Sequence, residues 1–247
     1  MLRSIKIGPY DCFADDESRP GLDILENGMN YERHVVAELQ QWIPTARGFL
    51  DIGANIGVHT LIAKSINPLI PVVCAEASPF NQAILCRNVK HNRLNEVKIL
   101  PFPLADSARI IQMNHDPTNP CCTIEGHPHS RDYGKLVAAL PLDHIVLPDI
   151  DLIKIDVEGF EIRVLRGASK LLRSRPRIIF EYCPQIADRS GVTPIEFLQF
   201  FFDAGYRLTV LDYSQQGMRA DFTSAAACHA HVLATSKWIC DVLATPA

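Results

Sequence analysis

The stretch Phe49–Thr60, FLDIGANIGVHT, decides the fold of this chain. Apolar residues lead into Asp51, and Gly53, Asn55 and Gly57 then occupy every second position before a helical pattern begins. This order predicts a strand, a tight turn and the start of a helix. Glycines let backbone N–H groups approach a ligand, and the first turn of a helix has unpaired donors. The turn therefore has two interpretations, a cofactor site or a structural strand-to-helix connection.

A second strand, Pro71–Glu76, ends in a carboxylate that is followed by Ala77, Ser78 and a proline typical of a helix start. In βαβ nucleotide folds, an acidic residue at this point accepts hydrogen bonds from both ribose hydroxyls. The alternative is a carboxylate favoured by the dipole of the next helix, which is worth about 0.3–1 kcal/mol. Together with the glycine turn, Glu76 favours a ribose site.

The composition is that of a globular α/β protein. The 247 residues carry a net charge of -4, with 47% hydrophobic and 21% charged residues. No apolar run reaches the roughly 18–20 residues of a membrane helix, no signal peptide is evident, and no basic stripe indicates nucleic acid. We expect one cytoplasmic domain over 1–247, in which 1–28 is an N-terminal arm. Its polar residues 1–20 are expected to form an arm or a short strand over the domain rather than a core element.

The eight cysteines contain no C-x-x-C pair, and the histidines scatter, so we assign no metal site. The vicinal pair Cys121–Cys122 and the residues His115, His127 and His129 fall in a Pro-rich stretch at 114–130. We interpret that stretch as a surface loop, with substrate contacts in the wider segment 107–150 because long irregular loops in compact domains are often functional.

The remaining pattern alternates strands and helices, which is typical of a doubly wound sheet. A helix over Asn30–Trp42 begins at Tyr31–Glu32, where the carboxylate of Glu32 is placed to cap it. The other elements are expected as follows: helix 57–66, helix 79–92, strand 97–104 at a sheet edge because of its prolines, helix 160–174, strand 177–182, helix 194–204, strand 206–211 and an antiparallel strand at 230–235.

The strand Asp151–Gly159, DLIKIDVEG, carries ionisable residues where a buried parallel strand should be apolar. Lys154 needs a carboxylate partner, which Asp156, Asp143 or Glu181 can supply. Open α/β sheets keep their active sites at the carboxyl ends of such strands. The alternative is an ion pair that only fixes the strand.

Taken in order, these segments resemble the FkbM family of S-adenosylmethionine-dependent methyltransferases. The likeness covers about 29–211: Tyr31–Glu32, FLDIGANIGVHT, CAEASPFNQAILCRNVKHN, PLAD, PLDHI, LIKIDVEGFEIRVLRGASKLL and IIFEY. The resemblance implies a Rossmann-like sheet of seven strands, mostly parallel with an antiparallel last strand. It also implies O-methylation of a hydroxyl on a sugar or small secondary metabolite.

From the resemblance and the turn chemistry we expect S-adenosyl-L-methionine to be bound by Glu32, Asp51, Gly53, Ala54, Asn55, Gly57, Thr60, Glu76, Ala77, Ser78, Asp106 and Asp156. Asp106 follows the third strand, where it faces an adenine amino group or serves as a turn carboxylate. The candidate catalytic residues are Asp156 and Glu158 as base or orienting groups, Lys154 as a charge partner, and Glu181. An NAD-dependent oxidoreductase and a non-catalytic binding module remain as alternatives; Asn55 in the turn disfavours the first.

Overall fold

The computed structural model describes residues 1–116, 119–124, 135–211, 219–235 and 239–247. Within them the strands are β1 (Leu2–Ile7), β2 (Tyr10–Asp15), β3 (Phe49–Ile52), β4 (Val72–Ala75), β5 (Val97–Leu100), β6 (Arg109–Asp116), β7 (Asn119–Ile124), β8 (Lys135–Ala139), β9 (Leu152–Ile155), β10 (Arg177–Tyr182), β11 (Tyr206–Leu211), β12 (Arg219–Phe222) and β13 (Cys240–Pro246). The α-helices are α1 (Arg19–Asn27), α2 (Arg33–Trp42), α3 (Val58–Ile66), α4 (Pro79–His91), α5 (Glu161–Arg166), α6 (Ser169–Leu172), α7 (Pro194–Asp203) and α8 (Ala225–Thr235).

The central sheet has the order β12-β11-β13-β10-β9-β3-β4-β5. Strands β10, β9, β3, β4 and β5 run parallel, and β13 inserts antiparallel between β10 and β11. The predicted doubly wound fold with an antiparallel last strand is confirmed. The sheet also gains an eighth strand, β12, which pairs antiparallel with the edge of β11.

The two faces of the sheet bury separate cores. Alternation along β9 places Ile153 and Ile155 in the core under α5, α7 and α8, while Leu152 belongs to the core under α2, α3 and α4. Both faces are covered, as expected for parallel strands joined by helices. The carboxyl ends of the central strands therefore form one exposed edge, the place where open α/β sheets bind ligands.

Most predicted elements are confirmed in kind. Strand β5 lies at the sheet edge and ends at Leu100, before the first proline. Helix α7 begins with Pro194 after Thr193, whose hydroxyl accepts from the backbone N–H of Glu196. Lys154 has a carboxylate partner, Asp156.

Four expectations at the chain's irregular parts are wrong. Residues 230–235 lie in α8, whose Ala225, Cys228 and Val232 recur at helical spacing on the buried face, and the antiparallel strand is β13. The helix expected at 160–174 is broken at Gly167, where a Cβ would come within 2.0 Å of the carbonyl oxygen of Ala105.

The N-terminal arm is a β-hairpin rather than a segment outside the core, because Ile7, Cys12 and Ala14 are fully buried. The pair Cys121–Cys122 lies in strand β7, not in a loop. His115 lies in β6, which also contradicts a loop there, while residues 117–118 and 125–130, including His127 and His129, fall outside the described residues.

Candidate active site

A cleft opens at the carboxyl ends of β3, β4, β5, β9 and β10 and encloses about 930 Å³, including its solvent-open mouth. The cleft combines carboxylates with an apolar wall. It is lined by Pro20, Tyr31, Glu32, Ile52, Gly53, Asn55, Ala75, Glu76, Ala77, Asn81, Phe102, Pro103, Leu104, Met113, Asp156, Val157, Glu158, Phe160 and Glu181.

The glycine turn forms one side of this cleft. Gly53 has φ +77°, and its N–H donates to the carbonyl oxygen of Ala75 over 2.9 Å. A Cβ here would lie 1.7 Å from the carbonyl oxygen of Asp156, so only glycine lets the turn pack against the end of β9. The turn thus connects the end of β4 with the end of β9.

Glu76 is held at the end of β4 by backbone donors. Its carboxylate accepts from the N–H of Asn55 over 2.8 Å and from the N–H of Ser78 over 2.7 Å. Burial raises the pKa of Glu76 to about 7, although these bonds oppose the shift. The carboxylate is therefore fixed in orientation while it faces the cleft, and two backbone donors leave it further lone pairs for a ligand.

Several predicted cofactor residues lie beneath the cleft instead of on its wall. Asp51 is fully buried and accepts a 2.8 Å hydrogen bond from the hydroxyl of Thr60. Gly57 is the N-cap of α3, and Ser78 is the N-cap of α4. Like Ala54, these residues do not line the cleft. They shape the turn that carries Asn55 and positions Glu76.

Asp106 is not on the cleft wall either. Its carboxylate forms ion pairs with Arg109 and Arg163 at the edge of the small sheet β7-β6-β8. Asp106 is thus a turn carboxylate paired with two arginines, and its contact with adenine stays a prediction.

The acidic half of the site lies at the ends of β9 and β10. Lys154 is buried, and its ammonium donates to Asp156 over 2.8 Å. Burial opposes the charge of Lys154, but Asp156, Glu32 and Asp51 raise the pKa of its ammonium well above the ordinary value. Lys154 does not line the cleft, so it acts on the cleft through the carboxylates around it.

Asp156, Glu158 and Glu181 place carboxylate oxygens within 4.8 Å of one another, a spacing that can hold a cation. Burial, followed by Asp156 and Glu158, raises the pKa of Glu181 well above its ordinary value. This favours the protonated form of Glu181. The ammonium of Lys154 already balances the charge of Asp156. The three carboxyl groups can therefore lie this close together without a metal ion.

Glu32 lines the cleft from the N-cap position of α2, where its backbone is left-handed at φ +46°. Its side chain makes no capping hydrogen bond, so the capping interpretation is wrong. Behind it lies His59, whose Nε2 is 3.3 Å from a Glu32 carboxylate oxygen. No local sequence pattern predicts a functional role for His59.

The apolar wall was also missed. Phe102 and Leu104 follow β5, and Phe160 follows β9. The sequence predicts residues 101–104, PFPL, only as the end of an edge strand. Its signal, an aromatic residue between two prolines just after a strand, appears only once the neighbouring strand ends are known.

The fold and the strand-end cleft are those of a Rossmann-like α/β protein. A crystal structure of methyltransferase FkbM from Methylobacillus flagellatus KT is similar, with a TM-score of 0.53 and 14% identity, over 94% of this chain and 55% of that one. A putative caffeoyl-CoA O-methyltransferase from Staphylococcus aureus has a TM-score of 0.50 and 13% identity, over 86% and 83%. At these identities the similarity concerns the fold.

The sequence comparison identifies the family. Residues 51–208, more than half of the chain, match the Methyltransferase FkbM domain, and the chain belongs to that family. Methyltransferase sdnD from Sordaria araneosa is 27% identical over a match that covers 52% of this chain. The match spans 62% of that relative. Among the described residues, no helix has the length and apolar character to cross a bilayer.

Proposed function

We propose that this protein transfers a methyl group from S-adenosylmethionine to a hydroxyl of a sugar or small secondary metabolite. Membership of the FkbM family supports methyl transfer. The observation that carries the proposal is Glu76, a carboxylate fixed by the backbone N–H groups of Asn55 and Ser78 beside the glycine turn. A carboxylate so held is suited to bind the two hydroxyls of a ribose.

The cleft fits the cofactor in three respects. Glu76 offers acceptors for a diol, and Phe102 and Leu104 offer an apolar surface for a purine beside it. The carboxylates of Asp156 and Glu158 offer negative charge for a cationic centre. When bound, S-adenosylmethionine supplies an activated methyl group on a sulfonium.

The chain's own contribution is orientation and charge. Lys154 holds Asp156 through a 2.8 Å bond, so this carboxylate faces the cleft in one position. Fixed groups at the end of β9 hold an acceptor near the methyl donor, and such positioning supplies about 7–11 kcal/mol in favourable intramolecular reactions. Asp156 and Glu158 are the orienting groups in this proposal, with Lys154 and Glu181 as their charge partners.

The test is a transfer assay with methyl-labelled S-adenosylmethionine and a panel of monosaccharides, glycosides and hydroxylated aromatic compounds. We expect label in at least one acceptor, released on ether cleavage. Calorimetry with S-adenosylhomocysteine and with NADH runs beside it. Binding of NADH alone would indicate an oxidoreductase, and binding of S-adenosylhomocysteine without transfer to any acceptor would indicate a binding module.

Asp156→Ala tests the carboxylates at the ends of β9 and β10 within the same assay. We expect it to abolish detectable transfer while the fold survives, because Glu32 and Asp51 still neutralise the buried Lys154. Asp203→Ala, at the exposed end of α7, is the matched control and should retain full turnover. Undiminished turnover in Asp156→Ala would remove Asp156 from the site.

A further inference from the structure

Glu32 belongs to the lining of two pockets. The first is the cofactor cleft, and the second encloses about 990 Å³ of open space beside α1 and α2; both are lined by Tyr31 and Glu32. The rest of the second lining is entirely polar: Asp23, Asn27, Asn30, Arg33 and His34. Such a lining suits a ligand with several hydroxyls, which would contact Glu32 there.

The backbone of Glu32 indicates that its position is enforced. A φ of +46° is uncommon for a residue with a side chain, and no capping hydrogen bond of that side chain offsets the cost. Strained residues of this kind persist where the surrounding structure holds them, and they cluster at functional sites.

His59 is the group that lies against Glu32. It is 5% exposed, and its Nε2 lies 3.3 Å from Glu32 Oε2 without a well-aligned hydrogen bond to any residue in the described part of the chain. Burial, then the charges of Lys154 and His34, lowers the pKa of His59 well below its ordinary value. A neutral imidazole, buried on α3, thus lies against one side of the Glu32 carboxylate.

The charge environment allows Glu32 to exchange a proton near neutral pH. Burial raises the pKa of Glu32 to about 7, and Lys154 opposes the shift. Both forms of the carboxyl group are then populated at neutral pH, as a general base requires. The titratable groups that face Glu32 are Tyr31 beside it in the chain, His59 on α3, Lys154 and Asp156 at β9, and Asp241 on β13.

We propose that Glu32 is the base that accepts the proton of the attacking hydroxyl of a polyhydroxylated acceptor, which reaches from the cofactor cleft at the end of β9 into the second pocket, and that His59 is the positioning residue that orients Glu32. This rests on the proposed methyl transfer. The acceptor oxygen gains the methyl group and loses its proton to Glu32, the sulfur keeps the electron pair of the broken C–S bond, and the proton leaves Glu32 for solvent through the open pocket.

The first test needs no acceptor. Calorimetry of Glu32→Gln with S-adenosylhomocysteine should give an affinity within about threefold of the parent, because Glu32 serves the acceptor and not the cofactor. Glu26→Gln, an exposed position on α1, is the matched control. A loss of about tenfold or more in Glu32→Gln alone would make Glu32 a cofactor contact and overturn the proposal.

The second test uses the polyols that the parent protein methylates. Glu32→Gln should lower kcat by about 10²–10⁴-fold with KM little changed, the usual loss for a general base. Retained turnover would overturn the role of Glu32. A parent protein that binds S-adenosylhomocysteine but methylates no polyol would overturn the acceptor class, and one that does not bind it would overturn the proposed function itself.

His59 is tested by the pH profile, which a merely structural role would not move. His59→Leu removes the imidazole beside Glu32, so the acidic limb of kcat should shift to higher pH. His59→Gln retains a nitrogen donor and should restore part of the parent profile. An unshifted limb in His59→Leu, with the fold intact by circular dichroism, would contradict the positioning role.

Discussion

Glu76 and Glu32 lie in the walls of the same cleft, and burial raises the pKa of each to about 7, yet they are held in different ways. Backbone N–H groups of neighbouring turns fix Glu76. Side chains surround Glu32: His59 Nε2 lies 3.3 Å from its carboxylate, and the charges of Lys154 and Asp156 act on it. We expect the two carboxylates to have different roles. The part of the cleft around Glu76, called the rigid corner, holds the cofactor, and the part around Glu32, the other corner, exchanges protons.

The largest effect is expected at Gly53, where the two corners meet. Gly53→Ala forces a Cβ to within 1.7 Å of the Asp156 carbonyl oxygen, and we expect it to lower the free energy of unfolding by about 4 kcal/mol or more. Gly191→Ala is the control, because φ there is +76° but no atom lies within 4 Å of the added Cβ. It should cost only about 1–2 kcal/mol. Equal losses in urea denaturation would show that the contact with β9 is unimportant.

Glu76→Gln should act on affinity. The substitution removes the charge and one of the acceptor oxygens that face backbone donors, and we expect affinity for S-adenosylhomocysteine to fall about 100-fold, the loss of one or two hydrogen bonds to a charged group. Calorimetry of the folded variant measures it. An unchanged affinity would show that Glu76 does not bind the cofactor, and the proposed difference between the two corners would be wrong.

The free energy of unfolding should fall as pH rises, because buried carboxyl groups titrate near neutral pH. Burial raises the pKa of Glu76 and of Glu161 to about 7 from 4.5, so the native state binds protons that the unfolded chain has released. A raised carboxyl pKa stabilises the fold at low pH, and that stability is lost as pH rises. The free energy of unfolding should fall by about 2 kcal/mol between roughly pH 5 and 6, about 1 kcal/mol from each of the two groups.

Urea titrations of the ligand-free protein at several pH values measure this slope. Glu161→Gln should flatten part of it, because the buried Glu161 then no longer titrates. A free energy of unfolding that rises with pH across the same interval would show that these carboxyl groups are ionised at their ordinary values.

The smallest effect is expected at Asp106. Asp106→Asn weakens ion pairs with Arg109 and Arg163 outside the cleft, so affinity for S-adenosylhomocysteine should stay within about twofold of the parent. Calorimetry measures it beside Glu76→Gln. A loss comparable to that of Glu76→Gln would restore Asp106 to the cofactor site.

Local patterns predicted the rigid corner well, because its parts are near one another in the chain. The glycine turn and the carboxylate of Glu76 each follow from a few adjacent residues. The other corner brings together His59 from α3, Glu32 from the start of α2 and Asp241 from β13. These residues meet only through tertiary packing, which no short pattern encodes.

The same reasoning explains the errors at the C-terminal end. The segment 230–235 has apolar residues that fit a strand, and its helical spacing emerges only when Ala225 and Cys228 are included. Strand β13 enters the sheet between β10 and β11, a placement fixed by pairing with two distant strands.

A crystal structure with S-adenosylhomocysteine tests the central claim most directly. The account predicts both ribose hydroxyls within hydrogen-bond distance of the Glu76 carboxylate, the purine against Phe102 and Leu104, and the sulfur facing the end of β9. A ligand bound away from Gly53 and Glu76, or with its ribose turned from Glu76, would contradict it.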